Sequence, residues 1–153
     1  MNLLCCSRRS PGYNLQSKKE AKSISNLNNE ELKNKLIQAI NQKNIQIIEE
    51  SLRKNENVYI NDPLTPNGST ALMIAAQKGH EEIVKLLLEK GADANLAQNN
   101  GCTALMLAAG VGNNNIVELL LEKGADANLA HNNGWTALMI AAQDGYKNIV
   151  ELL

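Results

Sequence analysis

Phenylalanine is absent from this chain of 153 residues; tryptophan occurs once and tyrosine three times. Any core must therefore be aliphatic, built from Leu, Ile, Val, Met and Ala. Cysteine is scarce as well. Cys5 and Cys6 are adjacent and Cys102 stands alone, so no disulfide framework is available, which points to a reducing compartment. No run approaches the roughly 18 apolar residues needed to cross a bilayer. The opening MNLLCCSRR places its charge after a short apolar stub, the wrong order for a secretory signal. Neither sign of charge dominates, with 15 basic against 16 acidic residues. A nucleic-acid binder of this size would be clearly basic, so that class is disfavoured. What remains, at 44% hydrophobic and 20% charged residues, has the balance of a folded domain.

The charge is unevenly placed. Residues 1–30 carry five basic and two acidic groups, together with Pro11, Gly12 and several Ser and Asn. They read as a flexible, mildly basic leader. Residues 67–153 hold five basic and nine acidic groups. This acidic region is also where the sequence repeats itself. Residues 67–99 and 100–132 agree at 24 of 33 positions without a gap, and 133–153 match the first copy at 15 of 21. Self-similarity at a fixed period is the signature of a stacked repeat array.

Each copy predicts the same local structure. Thr70, Thr103 and Thr136 can cap a helix with the side-chain oxygen. A short helix follows, beginning Ala71-Leu72-Met73, and ends where Gly79, Gly112 or Gly145 supplies a left-handed residue. A second helix runs from about Glu81 to Lys90, with Ile83, Val84, Leu86, Leu87 and Leu88 toward packed neighbours. Glu81 and Glu82 sit near its positive end and Lys90 near its negative end. Gly91 and Gly124 stop that helix. The excursions opened by Ala92-Asp93-Ala94-Asn95 and Ala125-Asp126-Ala127-Asn128 turn back at Asn100-Gly101 and Asn133-Gly134, a dipeptide suited to a tight hairpin turn. Helices of three turns or fewer are marginal alone, so the pairs must stack to close a core.

The residues Asn67-Gly68, Thr70-Ala71-Leu72-Met73, Ala75-Ala76, Gly79-His80, Ile83-Val84, Leu86-Leu87-Leu88 and Gly91-Ala92-Asp93-Ala94-Asn95, with their counterparts 33 positions on and, as far as Leu87, 66 positions on, resemble the ankyrin-repeat family. The resemblance covers about two-thirds of the chain. It implies an all-α solenoid of stacked helix-turn-helix units with hairpin-like loops. Family members usually carry Thr-Pro-Leu-His where this chain has Thr70-Ala71-Leu72-Met73. Met73, Met106 and Met139 thus replace a polar inter-repeat network with apolar packing.

The ends depart from the pattern. Residues 31–66 read as a degenerate first repeat or cap, with an unrelated helical hairpin as the alternative. Aligning Ala39 with Ala75 and Leu52 with Leu88 needs an offset of 36, and Pro63 and Pro66 argue against a regular continuation into the next copy. The partial repeat 133–153 finishes at Ile149-Val150-Glu151-Leu152-Leu153, inside a second helix and without a glycine cap. The expectation is a fragment of a longer chain.

Candidates for catalysis are poor. His80 aligns with Asn113 and Tyr146, which fits capping and packing; Tyr146 is expected to cap between the paired helices. His131 aligns with Gln98 at a hairpin tip. Asp93 and Asp126 recur in the fixed motif, which suits a turn hydrogen bond and predicts no metal site. Cys102 has no histidine partner, and no glycine-rich phosphate loop ends in Lys-Ser or Lys-Thr. The reading is non-enzymatic, with no cofactor.

Binding is better supported, because a repeat stack presents a continuous ridge and concave face. The candidate partner-contact positions are those expected to face outward, free of the fold's requirements. They are Gln98, Asn99, His131 and Asn132 on the excursions, and Ser69, Cys102 and Trp135 after the turns. On the first-helix ends they are Gln77, Lys78, Gly110, Val111, Gln143 and Asp144. The resemblance implies that such positions contact a protein partner. Trp135 is the expected anchor, with local packing as the competing role. The leading function is a cytoplasmic adaptor or scaffold. The alternatives are a recognition module of a larger enzyme, a membrane-tethered protein, or an effector delivered into host cells. Cys5 and Cys6, beside Leu3, Leu4, Arg8 and Arg9, are candidate lipidation sites that would tether the leader to a membrane. Asn2 excludes the myristoylation pattern.

Overall fold

A computed structural model of the chain describes residues 28–53 and 60–153. Cys5 and Cys6, with the leader up to residue 27, lie outside the described residues, as do Val58 and Tyr59. The described chain forms eight helices: α1 (Asn29–Asn41), α2 (Ile45–Arg53), α3 (Ala71–Gln77), α4 (Glu81–Glu89), α5 (Ala104–Gly110), α6 (Asn114–Glu122), α7 (Ala137–Gln143) and α8 (Lys147–Leu152). The only β pairing among these residues is two isolated bridges, Ala97 to Thr103 and Ala130 to Thr136.

Local chemistry sets the helix starts. Thr70, Thr103 and Thr136 hold extended backbone, and their hydroxyls accept from the amides of Met73, Met106 and Met139 at 3.4, 3.3 and 3.4 Å. Asn28 and Glu31 cap α1 reciprocally: the Asn28 side chain accepts from Glu31 N at 2.9 Å, and the Glu31 carboxylate accepts from Asn28 N at 3.0 Å.

The turn between paired helices is the same four times over. The amides of His80, Asn113 and Tyr146 donate back to Ala75, Ala108 and Ala141, at 3.0, 3.1 and 2.9 Å. Asn44 donates to Ala39 in the same way at 2.9 Å, which fixes the 36-residue offset suggested by the sequence. The residue before each donor is left-handed: Gly79 at φ 70°, Gly112 at 72° and Gly145 at 76°. In α1–α2 the position is held by Lys43, at φ 54° the only non-glycine residue of positive φ among those described.

The pairs stack in sequence order. The first helices α1, α3, α5 and α7 pack one on the next, and α4, α6 and α8 form a second layer. The first-helix layer is the dry centre. Leu72, Met73, Ala75, Ala76, Leu105, Met106, Ala108 and Ala109 are each no more than 2% exposed. Alanines at three of the seven positions in each of α3, α5 and α7 let the helices approach closely, and each enclosed Leu or Met contributes about 2 kcal/mol.

A polar seam ties the loops together. Asn61 Oδ1 accepts from Asp93 N at 2.8 Å, and Asn95 Oδ1 accepts from Asp126 N at 2.7 Å. The Asn95 amide also donates to Gly124 O at 3.0 Å. At the hairpins, Asn99 N donates to Asn67 O and Asn132 N to Asn100 O, at 3.0 and 2.9 Å.

One expectation changes and another holds. The hairpin turn is one residue wider than a bare Asn-Gly turn. Gln98 N bonds Cys102 O, and Gly101 N closes on Gln98 O, both at 2.8 Å, which encloses Asn99, Asn100 and a left-handed Gly101. At the first hairpin the continuation is irregular, as the prolines suggest: Leu64 N bonds Ser69 O across one residue more than Gln98 N spans to Cys102 O, although Pro66 itself does not break its turn. Pro66 is the second residue of the turn Thr65–Gly68, closed by Gly68 N to Thr65 O at 3.0 Å, where a fixed φ fits.

A lysine side chain in left-handed backbone costs about 1 kcal/mol relative to glycine. Lys43→Gly should raise unfolding stability by about that amount in urea titrations, with the helical signal unchanged. Lys43→Val, whose branched side chain resists positive φ, should lower it.

Candidate functional site

The candidate positions separate into two groups. The first lies at the C-terminal ends of the first helices. Gln42, Lys78, Val111 and Asp144 are the cap residues of α1, α3, α5 and α7, with (φ, ψ) of (−90°, 0°), (−87°, −3°), (−95°, 0°) and (−84°, −1°). Equal dihedrals in stacked helices aim the side chains alike, so the four form a row along the stack. All are exposed, as are Gln77 and Gln143 beside them; Gly110 is half-buried. Neighbouring helix axes pack roughly 8–10 Å apart, which sets the step along the row. In chain order it reads neutral amide, cation, aliphatic, anion.

The second group lies at the hairpins, and here the expectation of outward, unconstrained residues fails at several positions. Ser69 is buried at 6% exposure. Its hydroxyl donates to Asn67 Oδ1 at 2.9 Å and accepts at 2.7 Å from the amide of Gln98, on the following hairpin. Ser69 is a structural residue because the following hairpin lies over it, and half-buried Gln98 is its partner. Asn99 and Asn132 are exposed but committed to the fold. Their side-chain amides donate to Pro66 O at 3.0 Å and Asn99 O at 3.3 Å in the preceding repeat. Both copies carry Asn at this position, the signal that it is structural.

Cys102, His131 and Trp135 are half-buried. Burial pushes the Cys102 thiol above its usual range, leaving it protonated and a poor nucleophile. His131 Nδ1 lies 2.8 Å from Asn133 Oδ1. Trp135 donates its amide to Asn133 Oδ1 at 3.2 Å, and its carbonyl accepts from His131 N at 2.8 Å. Asp93 and Asp126 take turn roles, accepting from Asn95 N and Asn128 N at 2.8 Å each. No group of three His, Cys, Asp or Glu among the described residues could hold a metal ion.

The capping roles expected of His80 and Tyr146 are not seen. Asn44 and Asn113 cap α2 and α6 through their side chains, at 3.2 and 3.1 Å. His80 and Tyr146 make no such bond. The Tyr146 ring instead covers Gly112, so closely that a Cβ there would collide with it. Both ring nitrogens of His80 are buried without a hydrogen-bond partner. Sequence reasoning also missed the Asn61 and Asn95 bridges, although the recurrence of Asn95 as Asn128 was a legible sign.

The geometry is thus a stack of near-identical helix pairs displaying a varied row. The family model described as Ankyrin repeats (3 copies) matches residues 36–131 and 91–153. The chain belongs to the ankyrin-repeat family. No curated protein matches it. Ankyrin repeats are in general protein-interaction modules, typically non-enzymatic. No helix among the described residues is long and apolar enough to cross a membrane.

Burial, with Lys43 and Lys78 nearby, holds His80 below the usual histidine pKa. The unfolded chain titrates near the ordinary value of about 6.5, so as pH falls through it the unfolded state takes the proton first and the fold loses stability. His80→Asn should therefore flatten the decline in stability between pH 7.5 and about pH 5. By capping α4 as Asn113 caps α6, it should also add about 1 kcal/mol at neutral pH. Denaturant titrations across pH check both.

Proposed function

We propose that this ankyrin stack is a non-enzymatic adaptor or scaffold that binds a protein partner through its cap row, with the hairpin-tip residues His131 and Trp135 alongside. One observation supports the reading above the rest. The cap positions share one backbone conformation and one exposed aspect, yet carry Lys78, Val111 and Asp144 in neighbouring repeats. A residue serving only the fold would be expected to recur as Met73 recurs; here the backbone repeats and the chemistry does not.

Gly110 favours close approach. It leaves the surface beside exposed Val111 without a side chain, and a Cβ there would rest 3.4 Å from Ile140 Cγ2. A partner can bring an apolar group down onto this spot between an acidic group facing Lys78 and a basic one facing Asp144. In an extended segment each charged group would fall about three residues from the apolar one, on opposite sides of it, at roughly 3.3 Å per residue. Such opposed charges fix orientation and register more than they add affinity. The acidic balance of residues 67–153, nine acidic to five basic, suits a protein partner better than nucleic acid. The proposal places the complex in the cytoplasm, where Cys102 remains a free thiol.

Proximity labelling with the full chain would identify the partner, and titration would then measure it. Val111→Asp and the double reversal Lys78→Glu/Asp144→Lys should each weaken binding about tenfold or more. Trp135→Ala should weaken it while leaving the helical signal unchanged. Unaltered affinity in all three would overturn the proposal, and a loss of folding in Trp135→Ala would assign the indole to packing.

A further inference from the structure

The cap row is complementary to itself when reversed. Lys78 and Asp144 lie one step to either side of Val111, at about 8–10 Å per step, and Gln77, Gly110 and Gln143 repeat that symmetry beside them. Turned end for end, the row sets a cation against an anion, an aliphatic against an aliphatic, and an amide against an amide. The spacing agrees because the opposing row is the same row.

The groups concerned are available. Neither Lys78 nor Asp144 forms an ion pair with another described residue, and the side-chain amides of Gln77 and Gln143 are uncommitted among those residues. Val111 is 45% exposed. Lys78 and Val111 stand exposed although a further helix pair packs on each of theirs. Their exposure therefore belongs to the row and not to an end of the stack.

We infer that the partner of the cap row is a second copy of this chain, related by a two-fold axis that lies in the interface and crosses the row at Val111. The inference rests on the row being a contact surface, as proposed above, and names what it contacts. An axis in that direction reverses the row and keeps Gln77, Gly110 and Gln143 on the same side of it. Lys78 of each copy then meets Asp144 of the other, Gln77 meets Gln143, and the two Val111 side chains meet at the axis. Gly110 faces Gly110 beside them, so no side chain holds the valines apart. Gln42 falls outside the paired stretch. Two opposed charge pairs around an apolar centre fix the register. They also reject the parallel alternative, in which Lys78 would face Lys78 and Asp144 would face Asp144. The patch is smaller than the roughly 20–30 residues a side of a standard interface, so the pairing is weak and reversible.

Sedimentation equilibrium of the full chain and of charge-exchanged variants, each with its helical signal unchanged, tests this. The unaltered chain should show a concentration-dependent monomer–dimer equilibrium. Lys78→Glu or Asp144→Lys alone should weaken it about tenfold or more, because the axis makes one reversal act twice. An equimolar mixture of the two variants should restore it, since the introduced acid then faces the introduced base and the native Lys78 faces the native Asp144. The double variant Lys78→Glu/Asp144→Lys should pair with itself as well as the unaltered chain does, yet pair poorly with the unaltered chain. A chain that stays monomeric up to about 1 mM, or a dimer that ignores the single reversals or is not rescued by mixing, would overturn the inference. If the same variants then lose a different protein captured by proximity labelling, the row remains a contact surface and only its occupant is wrong.

Discussion

A helix of seven residues makes too few internal hydrogen bonds to hold itself in water, and the whole architecture follows from that deficit. Its apolar side must be covered from two directions, by its own second helix and by the first helices before and after it. Alanine at fixed positions lets those neighbours come close enough, and the absence of phenylalanine keeps the layer thin and even. Stability therefore resides in the contacts between pairs rather than in any pair. Met73, at 1% exposure, is enclosed by a packing that also involves α5.

The polar atoms of the loops meet a second requirement. The excursions carry backbone groups with no helix to satisfy them, and the amides of Asn61, Asn95, Asn99 and Asn132 reach across the stack to do so. These bonds are exposed, so each is worth about 1 kcal/mol at most, yet they fix the register. The helices could slide on an apolar face; the loops could not. Asparagine suits the task because one short side chain both donates and accepts.

The helix pairs, their caps and their left-handed turns were legible because each is a local choice repeated at a fixed spacing: Thr70 predicts Thr103, and Gly79 predicts Gly112. The outward-facing candidate positions were legible only in part. Lys78, Val111 and Asp144 differ between copies and stand exposed, facing outward as expected. Ser69, Cys102 and Trp135 differ too, yet Ser69 is buried, because Gln98 on the following hairpin covers it. Difference between copies marks a position where neighbours differ, and a neighbour 29 residues away is invisible to a reading of local pattern. Lys43 was missed for the opposite reason. Its positive φ is imposed by the turn from Ala39 to Asn44, which its own identity disfavours.

That lysine also explains why the seams of the stack are not equivalent. At each seam, the residue after the left-handed position packs toward the left-handed residue of the preceding pair. Asn113 comes close to Gly79 and Tyr146 covers Gly112, both fitting because glycine leaves room. At the first seam the corresponding residue is His80, and opposite it stands Lys43. A cleft of about 210 Å³ remains there, lined by Lys43, Ile45, Gly79, His80, Glu81, Glu82 and Ile83. The His80 nitrogens are left without partners, and the nearby lysines oppose its protonation. The contact between α1 and α3 is also less extensive than that between α3 and α5 or α5 and α7. Strain, an unfilled cleft and unpaired nitrogens coincide at one boundary, so α1–α2 is the pair that separates from the array at least cost. In a structure whose stability is a sum over interfaces, that makes the first seam the place where opening begins, at a distance from the Val111 and Asp144 end of the cap row.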